Sequence, residues 1–284
     1  YPDWAAQAIV HRQRNQLDFV LKNGELAGSW GVHIKKANGV GLISIDERPG
    51  FWLDHRADLG NGPQNGLRGR ATNAVDSDPT SGTAGDIAHQ PSLAYLPYLI
   101  TGDRYFLDEV AYWANYTLIA TFQDAAQNLR GGGKRADGTP LFSGSRGLIV
   151  FNEVRGIGWG LRNIADAAFI LPDGDPLKTY FAEKVNNNLL WLDDYAETFQ
   201  SGPLGAMFPY RRPEGREQGN YAPYAWISMW EQSYVGWAVD RARRILDMEE
   251  GVPFLTRLAT FDLKLFNSAP DFEPEWAGIY LVAI

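Results

Sequence analysis

The 284-residue chain reads as an all-α protein built on a repeated helical hairpin, with a small irregular β-containing region near its N-terminus. Three observations predict this. Segments with apolar residues at helical spacing alternate with short turns at Thr101-Gly102-Asp103, Pro172-Asp173-Gly174-Asp175-Pro176 and Glu250-Gly251-Val252-Pro253. The turn glycines Gly102, Gly174 and Gly251 recur at near-even spacing, which marks a repeat. With 45% hydrophobic and 21% charged residues, the composition supports a large packed core and excludes a disordered chain.

The elements follow in order. Apolar and small residues Ala5, Ala8, Ile9, Leu17, Val20 and Leu21 recur at helical spacing, so a first helix is expected over 3–22, with Asp3 as its N-cap. An irregular β-containing insert occupies 28–85. Its hairpin signals are Trp30-Gly-Val-His-Ile-Lys and Gly41-Leu-Ile-Ser-Ile-Asp, and a long loop rich in Gly, Asn, Asp and Pro follows. Three helical hairpins then occupy 86–128, 152–199 and 221–268 of a single domain spanning 1–284. In each, the first helix is rich in Gly, Ala, Trp and Tyr. The second carries Asp108, Glu109, Lys178, Glu183, Lys184 or Arg257 to face water.

Short turns at one end of every hairpin and long loops at the other place the starts of the three first helices on one face, together with the loops. First helices packed around an axis and second helices outside them make an incomplete (α/α) toroid. On this hairpin grammar, and on Asp86-Ile-Ala-His-Gln-Pro-Ser-Leu-Ala-Tyr-Leu-Pro-Tyr and Asn152-Glu-Val-Arg-Gly-Ile-Gly-Trp, the chain resembles the six-hairpin α/α-toroid superfamily of polysaccharide lyases and glycoside hydrolases. A closed ring needs more hairpins than the three found, so further chain segments or subunits are expected to complete it.

At the starts of the first helices sit Asp86 and His89, then Asn152, Glu153 and Arg155, then Tyr221, Tyr224 and Trp226. Exposed N–H groups and the helix dipole favour anions at such positions. In toroidal lyases a neutral His or Tyr abstracts the C5 proton of a uronic acid, a Tyr protonates the leaving oxygen, and Asn or Arg offsets the carboxylate. The resemblance therefore implies His89 as base, Tyr221 or Tyr224 as acid, and Arg155 and Asn152 as carboxylate neutralisers. The chemistry requires these types, because the C5 proton is weakly acidic until the carboxylate charge is offset. Structural readings stand beside these: His89 bonding a loop carbonyl, Asn152 as an N-cap, and Arg155 in a buried ion pair with Glu153, Asp166 or Glu231.

Substrate contacts are expected from Trp226, Trp52, His55, Arg146, Arg211, Glu153 and Glu231. Arg130, Lys134, Arg135 and Arg146 face only Asp137 in 128–151, and Arg211, Arg212 and Arg216 lie in 201–220, so basic loops would attract an anionic ligand despite a net charge of −8. Trp230, Tyr234 and Trp237 form a helical stripe assigned to the core, as are Tyr95 and Tyr98. A glycoside hydrolase is the principal alternative, its carboxylate pair drawn from Asp86, Glu153, Glu231, Asp46 and Asp54. A noncatalytic carbohydrate-binding or assembly protein is the other.

No cofactor is expected. The absence of cysteine removes thiolate metal sites, disulfides and cysteine nucleophiles, and the four histidines are scattered. Asp76-Ser-Asp78 is a weak calcium signal, and no phosphate-binding or dinucleotide motif occurs. No apolar run suffices for a membrane span, and the acidic balance disfavours nucleic acid. The start at Tyr1 and the apolar finish Leu281-Val282-Ala283-Ile284 read as a processed chain or a segment of a longer one, hence a periplasmic or extracellular location.

Overall fold

A computed structural model describes residues 7–51, 87–121, 129–150, 154–198, 204–208, 226–270, 273–278 and 282–283. Within them the chain is mostly helical. The helices are α1 (Arg14–Glu25), α2 (Tyr95–Thr101), α3 (Arg104–Ala120), α4 (Val154–Ile170), α5 (Pro176–Thr198), α6 (Met229–Leu246) and α7 (Val252–Phe266).

The first helix differs from its expected span. Residues 7–10 are helical, but Arg12 adopts a left-handed φ of 51° and separates them from α1, while the expected cap Asp3 lies outside the described residues. α1 then continues through Asn23-Gly24 to Glu25. Tertiary packing overrides that local stop signal: a Cβ on Gly24 would lie 2.6 Å from Pro97 of α2, so the glycine lets the two helices touch.

Each pair from α2 onward is joined by a turn whose caps are legible. Gly102 ends α2 with φ 67°, and the Asp103 carboxylate accepts from the Tyr105 N–H at 2.9 Å to start α3. Asp175 accepts from the Leu177 N–H at 2.9 Å, and Lys178 Nζ donates to the Leu171 carbonyl at 2.9 Å as α4 ends. Asp193 of α5 reaches across to accept from the N–H groups of Gly251 at 2.7 Å and Phe254 at 2.9 Å, capping α7 with a carboxylate from another helix.

α4 is the central element. It packs against α3, α5 and α6, while α7 packs against α5 and α6. Small residues permit this crowding. A Cβ on Gly160 would meet Thr117 Cγ2 of α3 at 2.6 Å, and one on Gly158 would meet the Tyr234 ring of α6 at 2.6 Å. Ile157, Leu161 and Ile164 join Leu118, Phe181, Leu189, Val235 and Val239 in one continuous core.

The expected division into apolar first helices and water-facing second helices does not hold for α3. Nearly all of it is buried, because the irregular N-terminal region covers its outer side. That region forms a short hairpin around the Lys35–Leu42 bridge. It docks through Trp30 on Trp113 at 5.4 Å, and through the Asn115 amide donating to the Ile43 carbonyl at 2.9 Å. Glu109 and Lys184, expected on the surface, are likewise buried and paired. His33 donates from Nε2 to Glu109 at 2.9 Å and from Nδ1 to the Trp30 carbonyl at 2.9 Å. Lys184 Nζ donates to Asp46 at 2.6 Å and Glu183 at 2.9 Å.

Arg130 is also displaced from its expected role in a basic loop. It is fully buried and donates to four carbonyls: Gly144 and Leu118 at 3.0 Å each, Pro49 at 2.6 Å and Phe51 at 2.8 Å. Burial lowers its pKa to about 10, so it stays cationic at neutral pH. At the other end of the chain, Trp226–Ile227 (β1) and Val282–Ala283 (β2) pair antiparallel, so part of the apolar finish is tied to the entry of α6.

Arg130→Met is expected to destabilise the protein by at least about 3 kcal/mol, since the carbonyls lose a charged donor inside the fold. Chemical denaturation measures this. Gly160→Ala is expected to lose about 1–3 kcal/mol through overpacking, read as a lowered Tm. Burial opposes a charge on His33, but the hydrogen bond and charge of Glu109 and the Trp30 carbonyl outweigh it and raise its pKa above the ordinary 6.5. The stabilisation from this pair is therefore full below about pH 6.5 and fades as pH rises through the higher folded-state value. His33→Gln should remove that component from a stability–pH profile.

Candidate functional site

Three elements converge along one side of α4. On this helix Arg155, Trp159, Arg162 and Asp166 recur at i, i+4, i+7 and i+11, so they form a single stripe along nearly its whole length. α6 presents Trp230, Tyr234, Trp237 and Arg241 at the same spacing, with Glu231 beside them. The third element is the segment from the Ile87–His89 turn to the start of α2. Each polar group of the α4 stripe is met from both flanks, giving a seam of contacts, the trough, with three levels.

The first level lies at the common start of α4 and α6. Arg155 Nη1 donates to Glu231 Oε1 at 2.8 Å, and the Arg155 backbone N–H donates to Glu231 Oε2 at 3.3 Å. Arg155 Nε donates to the Ala88 carbonyl at 3.2 Å, and Nη2 donates to His89 Nε2 at 3.3 Å. A guanidinium has no acceptor, so His89 Nε2 must present its lone pair and the ring proton resides on Nδ1. Glu231 has no exposed side-chain surface, Arg155 retains 13%, and His89 is exposed. The carboxylate thus lies beneath, the guanidinium between, and the imidazole at the surface.

The second level is aromatic and cationic. Arg162 lies over the Trp159 ring at 4.6 Å and donates from Nη2 to the Gln90 carbonyl at 2.8 Å and from Nη1 to the Tyr234 hydroxyl at 3.5 Å. Trp159 packs on Tyr234 at 5.0 Å, and Tyr234 stacks parallel to Trp237 at 5.6 Å. Trp159 Nε1 and Arg162 Nε are buried without a hydrogen-bond partner among the described residues. Burial raises the Tyr234 pKa, which keeps the phenol neutral. At the third level Arg241 pairs with buried Asp166 and lies over the Tyr95 ring at 5.3 Å, while the Ser92 hydroxyl donates to Asp166 at 3.4 Å.

Trp230 and Trp237 are 44% and 49% exposed. Their assignment to the core is therefore corrected: the buried stripe of α6 is Glu231, Val235, Ala238, Val239 and Ala242, and the tryptophans lie at its edge. Tyr95 and Tyr98 are half-buried against the core. Exposed indoles thus border a row of arginines whose charges are met within the protein by Glu231, Asp166, a carbonyl and a phenol.

Of the expected site residues, His89, Arg155 and Glu231 come together. The ion-pair reading of Arg155 is borne out, with Glu231 as the partner, and His89 is exposed beside it. Arg146 lies elsewhere, beside α5. Asp46, considered for a carboxylate pair, is engaged by Lys184 instead. Tyr221, Tyr224, Asn152, Glu153, Arg211, Trp52, His55, Asp86 and Asp54 lie outside the described residues, as does the Trp226 side chain. The sequence reading missed Trp159, Arg162 and Arg241 as partners in the site. Their signal was present as polar and aromatic residues repeating at i, i+4, i+7 and i+11 on both helices. Among the described residues no cluster of three His, Asp or Glu side chains could hold a metal ion, and no helix is long and apolar enough to cross a membrane.

No protein-family model, no curated protein and no solved structure matches the chain.

Glu231→Gln is expected to destabilise the protein by about 3–5 kcal/mol, because it leaves the mostly buried Arg155 charge without its counter-ion. A double change of Arg155 and Glu231 to Met and Gln should recover part of this loss. Comparison of the unfolding midpoints of the three variants reads the coupling.

Proposed function

We propose that this chain is a segment of an (α/α) toroid that cleaves a uronic-acid-containing polysaccharide by β-elimination. The observation that supports this reading is the surface imidazole of His89, with its Nε2 lone pair 3.3 Å from the Arg155 guanidinium where α4 and α6 begin. Glu231 orients Arg155 from beneath, and Nη2 lies on the edge toward His89. An incoming uronate carboxylate takes that edge, which transfers charge stabilisation to the substrate and releases Nε2 to accept a proton. Asn152 supports the same carboxylate.

His89 removes the proton from C5, the C–H electron pair becomes the C4–C5 double bond, and the C4–oxygen bond breaks. Tyr221 or Tyr224 delivers a proton to the departing oxygen. Trp226, Trp230 and Trp237 are assigned to the sugar rings, and Trp52, His55, Arg211 and Glu153 are assigned as further substrate contacts. The exposed face of the trough is where further segments or subunits would close the ring. A polymer substrate too large to enter a cell goes with a periplasmic or extracellular location. The hydrolase alternative has less support, since Glu231 is fully buried against Arg155 and Asp46 is engaged by Lys184.

Incubation with a panel of uronate polysaccharides tests the reading through ultraviolet absorbance of the unsaturated product. The expected result is a rising signal that falls by about 10²–10⁴ in His89→Ala while the Tm is retained. New reducing ends without absorbance would replace the lyase by a hydrolase. Polymer binding without cleavage would leave a noncatalytic carbohydrate-binding protein.

A further inference from the structure

A polar depression lies beside α5 and shares no lining residue with the trough. It has a volume of about 360 Å³ and is lined by Phe142, Ser143, Ser145, Arg146, Glu183 and Asn187. One wall is the tight turn Gly144–Arg146, and the other is the stripe of α5 that carries Glu183 and Asn187 one helical turn apart.

The turn is held rigidly. Buried Arg130 donates to the Gly144 carbonyl at 3.0 Å, and the Asn187 amide donates to the Arg146 carbonyl at 3.1 Å. Asn188 donates to the Gly147 carbonyl at 2.9 Å and accepts from the Ile149 N–H at 2.8 Å. The backbone positions bearing Ser143, Ser145 and Arg146 are therefore preorganised by Arg130 and Asn188, which do not line the depression, and by Asn187, which does.

Arg146 is the unusual member. Its guanidinium lies over the Phe142 ring at 4.4 Å, which fixes its plane, yet it makes no side-chain hydrogen bond or ion pair with any described residue. It is also partly withdrawn from water, and this burial lowers its pKa, with Asp194 only partly opposing. A guanidinium that has given up water without gaining an acceptor keeps its paired N–H donors for an anion, and a planar carboxylate matches them with two parallel hydrogen bonds. Around it stand groups suited to alcohols. The Ser143 oxygen accepts from the Ser145 N–H at 3.3 Å, which leaves its O–H to donate. Glu183 offers carboxylate oxygens, its charge partly offset by Lys184 at 2.9 Å, which Asp46 shares. Phe142 is 54% exposed and adds an apolar face.

We propose that this depression is a binding site for a carboxylated sugar unit, with Arg146 taking the carboxylate and Ser143, Ser145 and Glu183 the hydroxyls. The choice of a sugar acid over other carboxylates rests on the polysaccharide reading above; the requirement for an anion rests on Arg146 alone. Such a site would hold a polymer strand remote from His89 and raise its local concentration at the trough.

The test is a titration of the isotopically labelled full chain with free glucuronate, followed by amide chemical shifts. The expected result is saturable shifts at 143–147 and 183–188, with affinity lowered at least about tenfold in Arg146→Gln and by less in Arg146→Lys, which keeps the charge but not the paired donors. Glucose should leave these signals unmoved. Shifts absent from this region, shifts unchanged in Arg146→Gln, or equal binding of glucose would each overturn the proposal. Inorganic sulfate binding as tightly as glucuronate would overturn it too, reducing the site to a simple anion contact. The polymer-cleavage assay is separate: glucuronate binding here without any cleavage would refute the lyase reading alone, and cleavage without glucuronate binding would refute this site alone.

Discussion

Burial of α4 is the constraint on which the other elements depend. It is packed by α3, α5 and α6 at once, which only small residues at the crossings allow. Its apolar positions enter the core, but Arg155, Arg162 and Asp166 cannot be left there unpaired without a desolvation penalty of several kcal/mol each. The segment carrying Ala88, Gln90 and Ser92 supplies polar partners from one flank, and Glu231, Tyr234 and Arg241 supply them from the other. The demand that closes the core therefore also builds the trough. Its levels are consequences of burying a helix with one polar stripe.

The less regular parts of the chain are positioned by a second set of buried charges. Arg130 gathers carbonyls from 49–51, from α3 and from the Gly144–Arg146 turn, while Lys184 binds Asp46 and His33 binds Glu109. These segments have no helical periodicity through which to find a place. Directional bonds from a desolvated cation fix them in place, and each missing bond would leave a buried acceptor without a donor. Arg130, which binds the Pro49 and Phe51 carbonyls, also fixes the Gly144 carbonyl in the wall that presents Arg146.

Several features were legible in the residues themselves. Gly102 and Asp103 end one helix and begin the next through their own conformational and hydrogen-bonding preferences, so that turn follows from its local sequence. His89 and Arg155 were singled out because each was expected at a helix start, and Glu231 as a candidate partner of Arg155. What could not be read was their arrangement: Glu231 lies beneath, sequestered by Arg155, and only His89 faces outward. Trp230 and Trp237 were misassigned because an aromatic stripe at helical spacing reads the same whether it meets a core or borders a trough. The carboxylate of Asp193 illustrates the limit further, since it caps α7 from a different helix and leaves no trace in the sequence around Gly251.

The sequence by itself determined the all-α class, the paired helices with their short turns, and the presence of polar stripes on α4 and α6. Those properties are local, because helical hydrogen bonds and caps link residues within one turn of each other. Only the tertiary structure decided which charge meets which. Arg155 and Glu231 are 76 residues apart, Asp166 and Arg241 are 75, and Lys184 and Asp46 are 138. Their pairing depends on how α4 is surrounded, and the exposure of His89 and Arg146 depends in turn on what those pairings leave at the surface. Chemistry at a site is set by these residual exposures, which no single segment of the chain contains.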